Sequence, residues 1–375
     1  MTKRNLLIVL LVGLLLRLSI GFFQFSGDVK NHLVWGNSFV SNPNGFYSRH
    51  FPGFNDPNYP PLAIMLFGAS NLLYTGTLSL IKILNNSLSI FPSLLLPIFE
   101  SENMKMFFLK LPGIFSDIGI AYTLYLFSKK LKISTLLPAI YLFNPAFIYT
   151  STIWGQIEPV TSFFIIVSLY HGLFGKDKKL SVFAFVLSLL TKQTALWLTP
   201  LFLFLWWKEI NTNQLIKGIL LSLGTFFLVY LPFGLLPPGA IKNYLATLSG
   251  SSTLVTDAAW NIWYFVFPGR VEDSVTLGIL SVRNVSIILL LLSLAIIIYK
   301  LIKKYSHVRF LYGLFVWSLL AFFLQTRVHE RHLSFALLFL LLTPGLAKTY
   351  YLDYLTLSVY HYLNLYQSLG LPFIK

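Results

Sequence analysis

Long apolar runs follow one another along this chain, and short polar breaks separate them. Hydrophobic residues make up 56% of the 375 residues and charged residues only 11%, so a soluble fold would have too few polar side chains to cover its surface. Lipid must therefore solvate most of the chain, and runs of this length are typical of membrane-spanning helices. The sequence predicts an all-α polytopic membrane protein.

Clusters of lysine and arginine between the apolar runs indicate the orientation of the chain. Cytoplasmic loops of membrane proteins carry an excess of these residues. If every cluster is cytoplasmic, the chain crosses the membrane an even number of times between successive clusters. The clusters are Lys3/Arg4, Lys129–Lys132, Lys176–Lys179, Lys208/Lys217, Lys300–Lys304 and Lys348. About ten spans meet this condition, near residues 5–25, 106–128, 133–153, 159–175, 180–192, 194–207, 215–233, 284–301, 309–326 and 332–347.

The remaining segments complete a single integral-membrane domain over residues 1–375. Residues 26–105 are expected to form a first outer loop. Its apolar stretches 62–81 and 88–99 are expected to lie along the membrane surface, although two extra spans there would leave the rest unchanged. Residues 234–283 form a second large outer loop and 349–375 a C-terminal tail. The net charge of +15 is explained by this topology and by anionic lipids, so no nucleic-acid partner is expected.

Acids and bases concentrate at the breaks on the side opposite the lysine clusters. A carboxylate beside cations at the level of the lipid headgroups suits a phosphate-bearing lipid and a proton-accepting step. The charged residues at these breaks are Asp28, Asp56, Glu158, Lys192, Asp257 and the cluster Arg327–His332.

Each break also has a structural interpretation. Asp28 could cap the helix that follows it, or act as a base that shares a helix face with His32. Lys192 could extend its side chain to the membrane surface, but its outer position favours phosphate binding. The cluster Arg327–His332 could neutralise itself at the interface, although it holds more charge than that role needs. Arg17, inside the first run, could face a bundle partner or a lipid phosphate.

Other chemistries lack their motifs. Residues 329–332 read His-Glu-Arg-His, without the HExxH spacing of a zinc protease, and no DxD pair is present to hold a divalent ion with a nucleotide sugar. Walker, GxSxG and GxGxxG motifs are also missing. Cysteine is absent, which excludes thiolate ligands and disulfides. No metal site is expected.

Several motifs follow one another in order at these breaks. They are Gly27-Asp28 with His32 and Trp35, Tyr59-Pro60-Pro61-Leu62, Lys192-Gln193, Asp257 with Asn261 and Trp263, and His329-Glu330-Arg331. As an ordered set, they resemble the motifs of the GT-C membrane glycosyltransferases, most nearly the lipid-linked-oligosaccharide glucosyltransferases that use dolichyl-phosphate glucose. The segment Trp154–Pro159 is also similar to the Gly-Gln-acidic motif of polyprenyl-phosphate-dependent mannosyltransferases.

This resemblance implies a GT-C-like helical bundle whose long first extracytoplasmic loop carries juxtamembrane helices. It implies inverting transfer of a hexose from a polyprenyl-phosphate donor to a hydroxyl of a glycan, lipid-linked glycan or protein. Asp28 would be the general base, and Lys192, His329 and Arg331 would bind the donor phosphate. The supporting residues would be His32, Tyr59, Gln156, Glu158, Gln193, Asp257, Asn261, Trp263 and Glu330.

Within that group, Gln156 and Glu158 would orient the cations or the sugar hydroxyls, and Asn261 and Trp263 would line the acceptor or sugar pocket. The lipid-phosphate sugar is a substrate, so no cofactor is implied. The alternative is a transporter or flippase of polyprenyl-linked sugars. Such a protein is expected to carry charges at mid-membrane depth and inverted repeats.

Overall fold

The computed structural model of the protein describes residues 1–248, 252–343 and 350–370. Almost all regular structure is helical, and the two strands, β1 (Thr276–Leu277) and β2 (Leu280–Ser281), form one short antiparallel hairpin. The helices are α1 (Lys3–Phe23), α2 (Gly27–Ser41), α3 (Pro61–Ser87), α4 (Leu95–Glu100), α5 (Glu102–Leu131), α6 (Leu137–Leu142), α7 (Pro145–Ile148), α8 (Glu158–Phe174), α9 (Lys179–Thr191), α10 (Thr199–Glu209), α11 (Thr212–Tyr230), α12 (Pro237–Thr247), α13 (Ile262–Val266), α14 (Val282–Lys303), α15 (His307–Leu324), α16 (Ser334–Leu340) and α17 (Tyr350–Leu369).

Among the described residues, six segments are long and apolar enough to cross a membrane: α1, α3, α5, α14, α15 and Thr212–Phe233, which extends α11. Helices α8 and α9 are apolar but shorter. The chain is therefore an all-α membrane protein, as the sequence predicts.

The long helices run between two ends of the bundle, named here the lysine end and the Asp28 end. At the lysine end, Glu209 accepts hydrogen bonds from Lys178 Nζ (2.9 Å) and Tyr305 Oη (2.8 Å) and lies 3.0 Å from His307 Nε2. The amino group of Met1 bonds Thr135 Oγ1 there, just beyond the end of α5. The basic clusters expected on one side of the membrane thus share one end of the bundle, except Lys348, which lies outside the described residues.

Helix α3 has the length of a spanning helix, but its contacts lie at the Asp28 end. Its first turns pack against the last turns of α9 and α11, which contain Leu190 and Tyr230. Further along, the Tyr74 ring lies 5.6 Å from the ring of Phe108 in α5, and its hydroxyl donates to Phe99 O (3.0 Å). The surface helix expected for residues 62–81 stays a prediction, because α3 is also long and apolar enough to be the extra span that the sequence left open.

The predicted span 133–153 is broken. Helices α6 and α7 and a π-helical turn (Tyr149–Trp154) replace one continuous helix. Pro145 has no backbone N–H to continue the helix, and the Asn144 side chain caps α7 by accepting from Ala146 N (2.9 Å). Residues 193–209 likewise begin with a 3₁₀ turn (Gln193–Leu198) ahead of α10, and the predicted span 332–347 contains α16, with 344–347 outside the described residues.

The region expected to be a C-terminal tail contains α17, which packs into the bundle. Asn144 Nδ2 donates to Tyr354 Oη (2.8 Å) and Ser358 Oγ (2.7 Å) of this helix. Asn364, nearer its end, accepts from Trp260 N (3.0 Å) and donates to Ala258 O (2.8 Å). Helix α17 therefore supports the loop that leads to α13.

Arg17 has a partner inside the bundle, which decides between its two interpretations. Its Nε lies 2.7 Å from Asp117 Oδ2 in α5, and both side chains are 0% exposed. Tyr141 Oη donates to the other oxygen of Asp117 (2.6 Å), and Arg17 Nη1 donates to Leu142 O (2.8 Å). This buried pair ties α1 to α5 and to the broken segment.

Candidate active site

Asp28 lies in the first turn of α2, where its side chain binds other parts of the chain. Its Oδ2 accepts from Trp154 Nε1 (2.9 Å) and from Gln156 Nε2. Ser26 occupies the N-cap position of α2 without a side-chain cap bond, and its Oγ donates to Trp154 O (2.8 Å). The carboxylate is thus fixed by the segment Trp154–Pro159 and does not serve as the cap of α2.

The surroundings of Asp28 keep it ionised at neutral pH. Burial raises the pKa of this carboxyl, but the Arg331 guanidinium and the Trp154 hydrogen bond lower it, and Lys192 adds to their effect. The net pKa lies below the ordinary value of 3.8. Asp28 is therefore a carboxylate that can accept a proton.

Two cations meet at one carboxylate beside Asp28. Glu158 Oε1 accepts from Arg331 Nε (2.8 Å) and forms a buried ion pair with Lys192 Nζ. Arg331 Nη1 also donates to Glu330 Oε1 (2.8 Å), and its guanidinium carbon lies 5.6 Å from the centre of a Trp154 ring. Glu158 and Glu330 thus orient the cations from behind.

The Tyr-Pro-Pro turn brings Tyr59 to Lys192. The Lys192 ammonium lies 4.9 Å from the centre of the Tyr59 ring and 3.4 Å from its hydroxyl. Pro60 and Pro61 lead directly into α3, and Tyr47 Oη donates to Tyr59 O (3.0 Å). The turn therefore holds an aromatic face against a cation of the site.

One cavity of about 300 Å³ is lined by many of the residues that the sequence predicts for the site. The four residues expected to act as base and phosphate binders, Asp28, Lys192, His329 and Arg331, all line it. Three of the supporting residues line it as well, namely His32, Tyr59 and Gln193. Lys192, Arg327 and Arg331 line the cavity together with Asp28, whereas Glu158, Glu330 and Asp273, which pair with these cations, are not part of its wall. The wall therefore presents cationic donors to an anionic ligand.

The three histidine and glutamine neighbours have distinct environments. His32 is fully buried and stacks on Phe67 at 4.1 Å, and burial lowers its pKa to about 4. Burial, reinforced by Arg331 and Lys192, also lowers the pKa of His329. Gln193 Nε2 donates to Asn58 O (3.2 Å) and Thr247 O (3.2 Å), which joins two outer segments at the cavity.

Other expected site residues lie away from the cavity wall. Asp257 Oδ2 lies 3.6 Å from His329 Nε2. Asn261 caps α13 by accepting from Tyr264 N (3.1 Å), and its Nδ2 donates to Gln325 O (3.0 Å). Trp263 Nε1 donates to Leu324 O (2.8 Å) in a buried cluster. Asn261 and Trp263 are thus not part of the wall of this cavity but fasten α13 to the end of α15, and their place beside the acceptor or the sugar stays a prediction.

Several residues of the cavity wall, such as Arg327, Asn31 and Trp197, carry no assigned role in the predicted site. Arg327 lines the cavity and is held by Asp273 through Nε (2.7 Å) and Nη2 (3.1 Å). Its φ of 63° is unusual for a residue other than glycine and indicates local strain. Arg327 belongs to the charged cluster Arg327–His332, and the concentration of charged residues there is the sequence feature that could have indicated it as a site residue. Asp56 accepts from Phe51 N (3.0 Å) and lies outside the cavity wall.

In the described ranges, no three histidine or acidic side chains are close enough together to hold a metal ion. Comparison with known proteins gives no match, either to a family model or to a curated protein. The geometry of the site therefore carries the functional argument.

Proposed function

We propose that this protein is a GT-C-type membrane hexosyltransferase with about ten crossings. It would use a polyprenyl-phosphate sugar as donor and a hydroxyl of a glycan, lipid or protein as acceptor, at the extracytoplasmic face. The observation that carries the proposal is the meeting of an ionised carboxylate, Asp28, with the cations Lys192 and Arg331 in one cavity. This cavity lies at the end of the bundle opposite the lysine clusters.

The proposed reaction is an inverting displacement. The acceptor hydroxyl gives its proton to Asp28 as its oxygen forms a bond to the anomeric carbon of the sugar. The bond from that carbon to the phosphate oxygen breaks, and its electron pair stays on the phosphate. Lys192 and Arg331 stabilise the added charge on the departing phosphate. His329 is neutral at pH 7, because burial lowers its pKa, and it contributes a hydrogen bond to the phosphate.

An apolar groove beside the cavity supports a lipid-linked donor. It encloses about 500 Å³ between α9, α10 and α11, and its lining is almost entirely apolar. Leu196 borders both this groove and the polar cavity. A polyprenyl chain in the groove would therefore bring its phosphate to the cavity without leaving the membrane.

The Arg17–Asp117 pair bears on the alternative function, a transporter or flippase. Such a protein is expected to carry charges inside the bundle, and this pair is one such charge pair. Both side chains are fully enclosed and bonded to Tyr141 and Leu142, which fits a structural link between helices. Transferase activity remains the function that the site supports best.

The decisive experiment incubates purified protein in bilayer nanodiscs with a panel of polyprenyl-phosphate hexoses and candidate acceptors. Release of polyprenyl phosphate and formation of glycosylated acceptor are measured. Asp28→Asn should lower the rate by about 10²–10⁴ while donor binding is retained, because shape persists and the proton acceptor is lost. Asp56→Asn is the matched control, since it removes an exposed carboxylate outside the cavity wall.

EDTA should leave the rate unchanged, because the proposed phosphate binders are side chains. Full activity of Asp28→Asn, or loss of activity in EDTA, would refute the proposed mechanism. Movement of intact donor across a vesicle bilayer without cleavage would favour the flippase.

A further inference from the structure

A second groove that faces lipid lies between α14 and α15 at the lysine end. It encloses about 430 Å³, and its apolar wall includes Ile296 and Ile297 of α14 and Val316 of α15. Gly313 lies in the groove, where an added Cβ would be 3.4 Å from methyl groups of Ile297 and Leu301. The absent side chain therefore leaves room along the seam between the two helices.

Three cations surround the mouth of this groove. Lys300 lies in the last turn of α14, Lys304 follows the end of that helix as its C-cap, and Arg309 lies in the first turn of α15. All three are exposed, and none forms an ion pair within the described ranges. Glu209 and Asp177, two acids at this end, pair with Lys178 and Lys179 instead.

The depth of the groove matches one acyl chain. Its lining extends from Ser293 in α14 to Lys304 just past the end of that helix, which is about 16 Å at the helical rise of ~1.5 Å per residue. Half of the ~30 Å hydrocarbon core is about 15 Å. A lipid with its phosphate at the cations would therefore lay an acyl chain along the whole apolar wall.

We propose that this groove, called the basic groove, is a binding site for a two-chain anionic phospholipid. Lys300, Lys304 and Arg309 hold the phosphate, and Ile296 and Val316 contact an acyl chain. A second copy of this chain is a poorer occupant, because it would bring two sets of unpaired cations together. The proposal is independent of the transferase reaction, since the groove is at the opposite end from the candidate active site.

The test compares lipid retention by purified protein in nanodiscs of equal dioleoyl-phosphatidylglycerol and dioleoyl-phosphatidylcholine, with retained lipids counted by native mass spectrometry. The variant K300Q/K304Q/R309Q should lose the preferential retention of phosphatidylglycerol. Each cation near an anionic headgroup contributes about fivefold in affinity, so the three together contribute about a hundredfold. The matched control K129Q/K130Q/K132Q removes the same charge at the same end outside the groove.

The control variant should retain phosphatidylglycerol as the wild type does. Val316→Trp, which fills the apolar wall and leaves the cations in place, should also reduce retention and provides a second test if the triple variant folds poorly. Wild-type retention by K300Q/K304Q/R309Q, or an equal loss in the control, would overturn the proposal. A mass that corresponds to a dimer with an empty groove would assign the groove to a second copy and also overturn it.

Discussion

Glu158 joins two motifs that are distant in the sequence. One of its oxygens contacts both Lys192 and Arg331, whereas the other, Oε2, is buried without a partner. A single carboxylate therefore fixes two cations at the edge of the cavity. Because neither Glu158 nor Glu330 lines the cavity, Lys192 and Arg331 can still donate hydrogen bonds to a phosphate there.

The sequence predicted the charged residues of the site better than the aromatic and amide residues around them. Asp28, Lys192 and Arg331 were identifiable because charge is rare in this chain and is costly near lipid. Trp154 belongs to a motif that was recognised, but its hydrogen bond to Asp28 depends on the π-helical turn. The sequence predicts that Asn261 lies beside the substrate, and the structure shows that it caps a five-residue helix. A cap and a ligand-binding amide look alike in a single sequence.

We predict that the two histidines of the cavity, His32 and His329, do not control how the transfer rate depends on pH. Burial lowers the pKa of His32 to about 4, and the pKa of His329 also lies well below 6.5, so both rings are neutral from pH 6 to 8. The pKa of Asp28 is lowered as well, so it stays ionised over that range. The transfer rate, measured under saturating donor, should be constant between pH 6 and pH 8.

The same two histidines should make the thermal stability of the protein depend on pH, although they leave the transfer rate unchanged. As pH falls below 6.5, the unfolded chain binds protons at these histidines before the folded chain does, so the thermal midpoint should fall between pH 6.5 and pH 5. A rate that changes with a midpoint near 6.5 in the wild type, and not in His32→Gln, would contradict the assignment.

The sequence indicates only one member of the ion pair that joins α1 to α5, Arg17–Asp117. Arg17 interrupts a long apolar run and attracts notice, whereas Asp117 lies within another run and was not connected to it. Partner choice between two such helices depends on their register, which a single sequence does not define.

We predict that each half of this pair depends on the other. Arg17→Met or Asp117→Leu alone should destabilise the protein by about 3–5 kcal/mol, because a buried charge loses its counterion. The double variant should be more stable than either single variant. Thermal unfolding of the four proteins in one detergent gives the coupling energy. Additive single effects would show that the two charges act independently.

The composition of α17 explains why the sequence predicts a tail for this region and not a helix of the bundle. Its sequence contains six tyrosines and an aspartate, so it appears less apolar than the predicted spans although it packs into the bundle. The break at Asn144 and Pro145 has a different cause, since proline ends a helix whose hydropathy continues. Hydropathy therefore identified long continuous apolar helices more reliably than a tyrosine-rich helix or one that is interrupted by proline.

For α17 we predict that Asn364 holds the helix to the loop before α13. Asn364→Leu removes two half-buried hydrogen bonds, one to Ala258 O and one from Trp260 N, at a net cost of about 0.5–1.5 kcal/mol each. The thermal midpoint should fall, and transfer should weaken because this loop contacts His329. Ser368→Ala, at an exposed position of the same helix, is the control. Equal midpoints for Asn364→Leu and the wild type would contradict this role.

For the molecule as a whole, we predict that the lysine end is cytoplasmic and the Asp28 end extracytoplasmic, because basic clusters favour the cytoplasmic side. The chain contains no cysteine, so single cysteines report without background. Ile279 is 97% exposed in the β-hairpin and Lys130 is exposed at the end of α5. An impermeant maleimide should label Ile279→Cys in intact cells and Lys130→Cys only after permeabilisation. The reverse pattern would invert the topology.

The apolar groove between α9, α10 and α11 determines which concentration scale governs ligand binding to this protein. Because it faces hydrocarbon, a ligand that fits it arrives by lateral diffusion in two dimensions, and its activity is a mole fraction among lipids. Adding detergent at constant protein and ligand dilutes that ligand among micelles, so an apparent affinity expressed per litre should weaken although every contact is unchanged. Affinities of such a ligand are comparable between preparations only when they are expressed per mole of amphiphile.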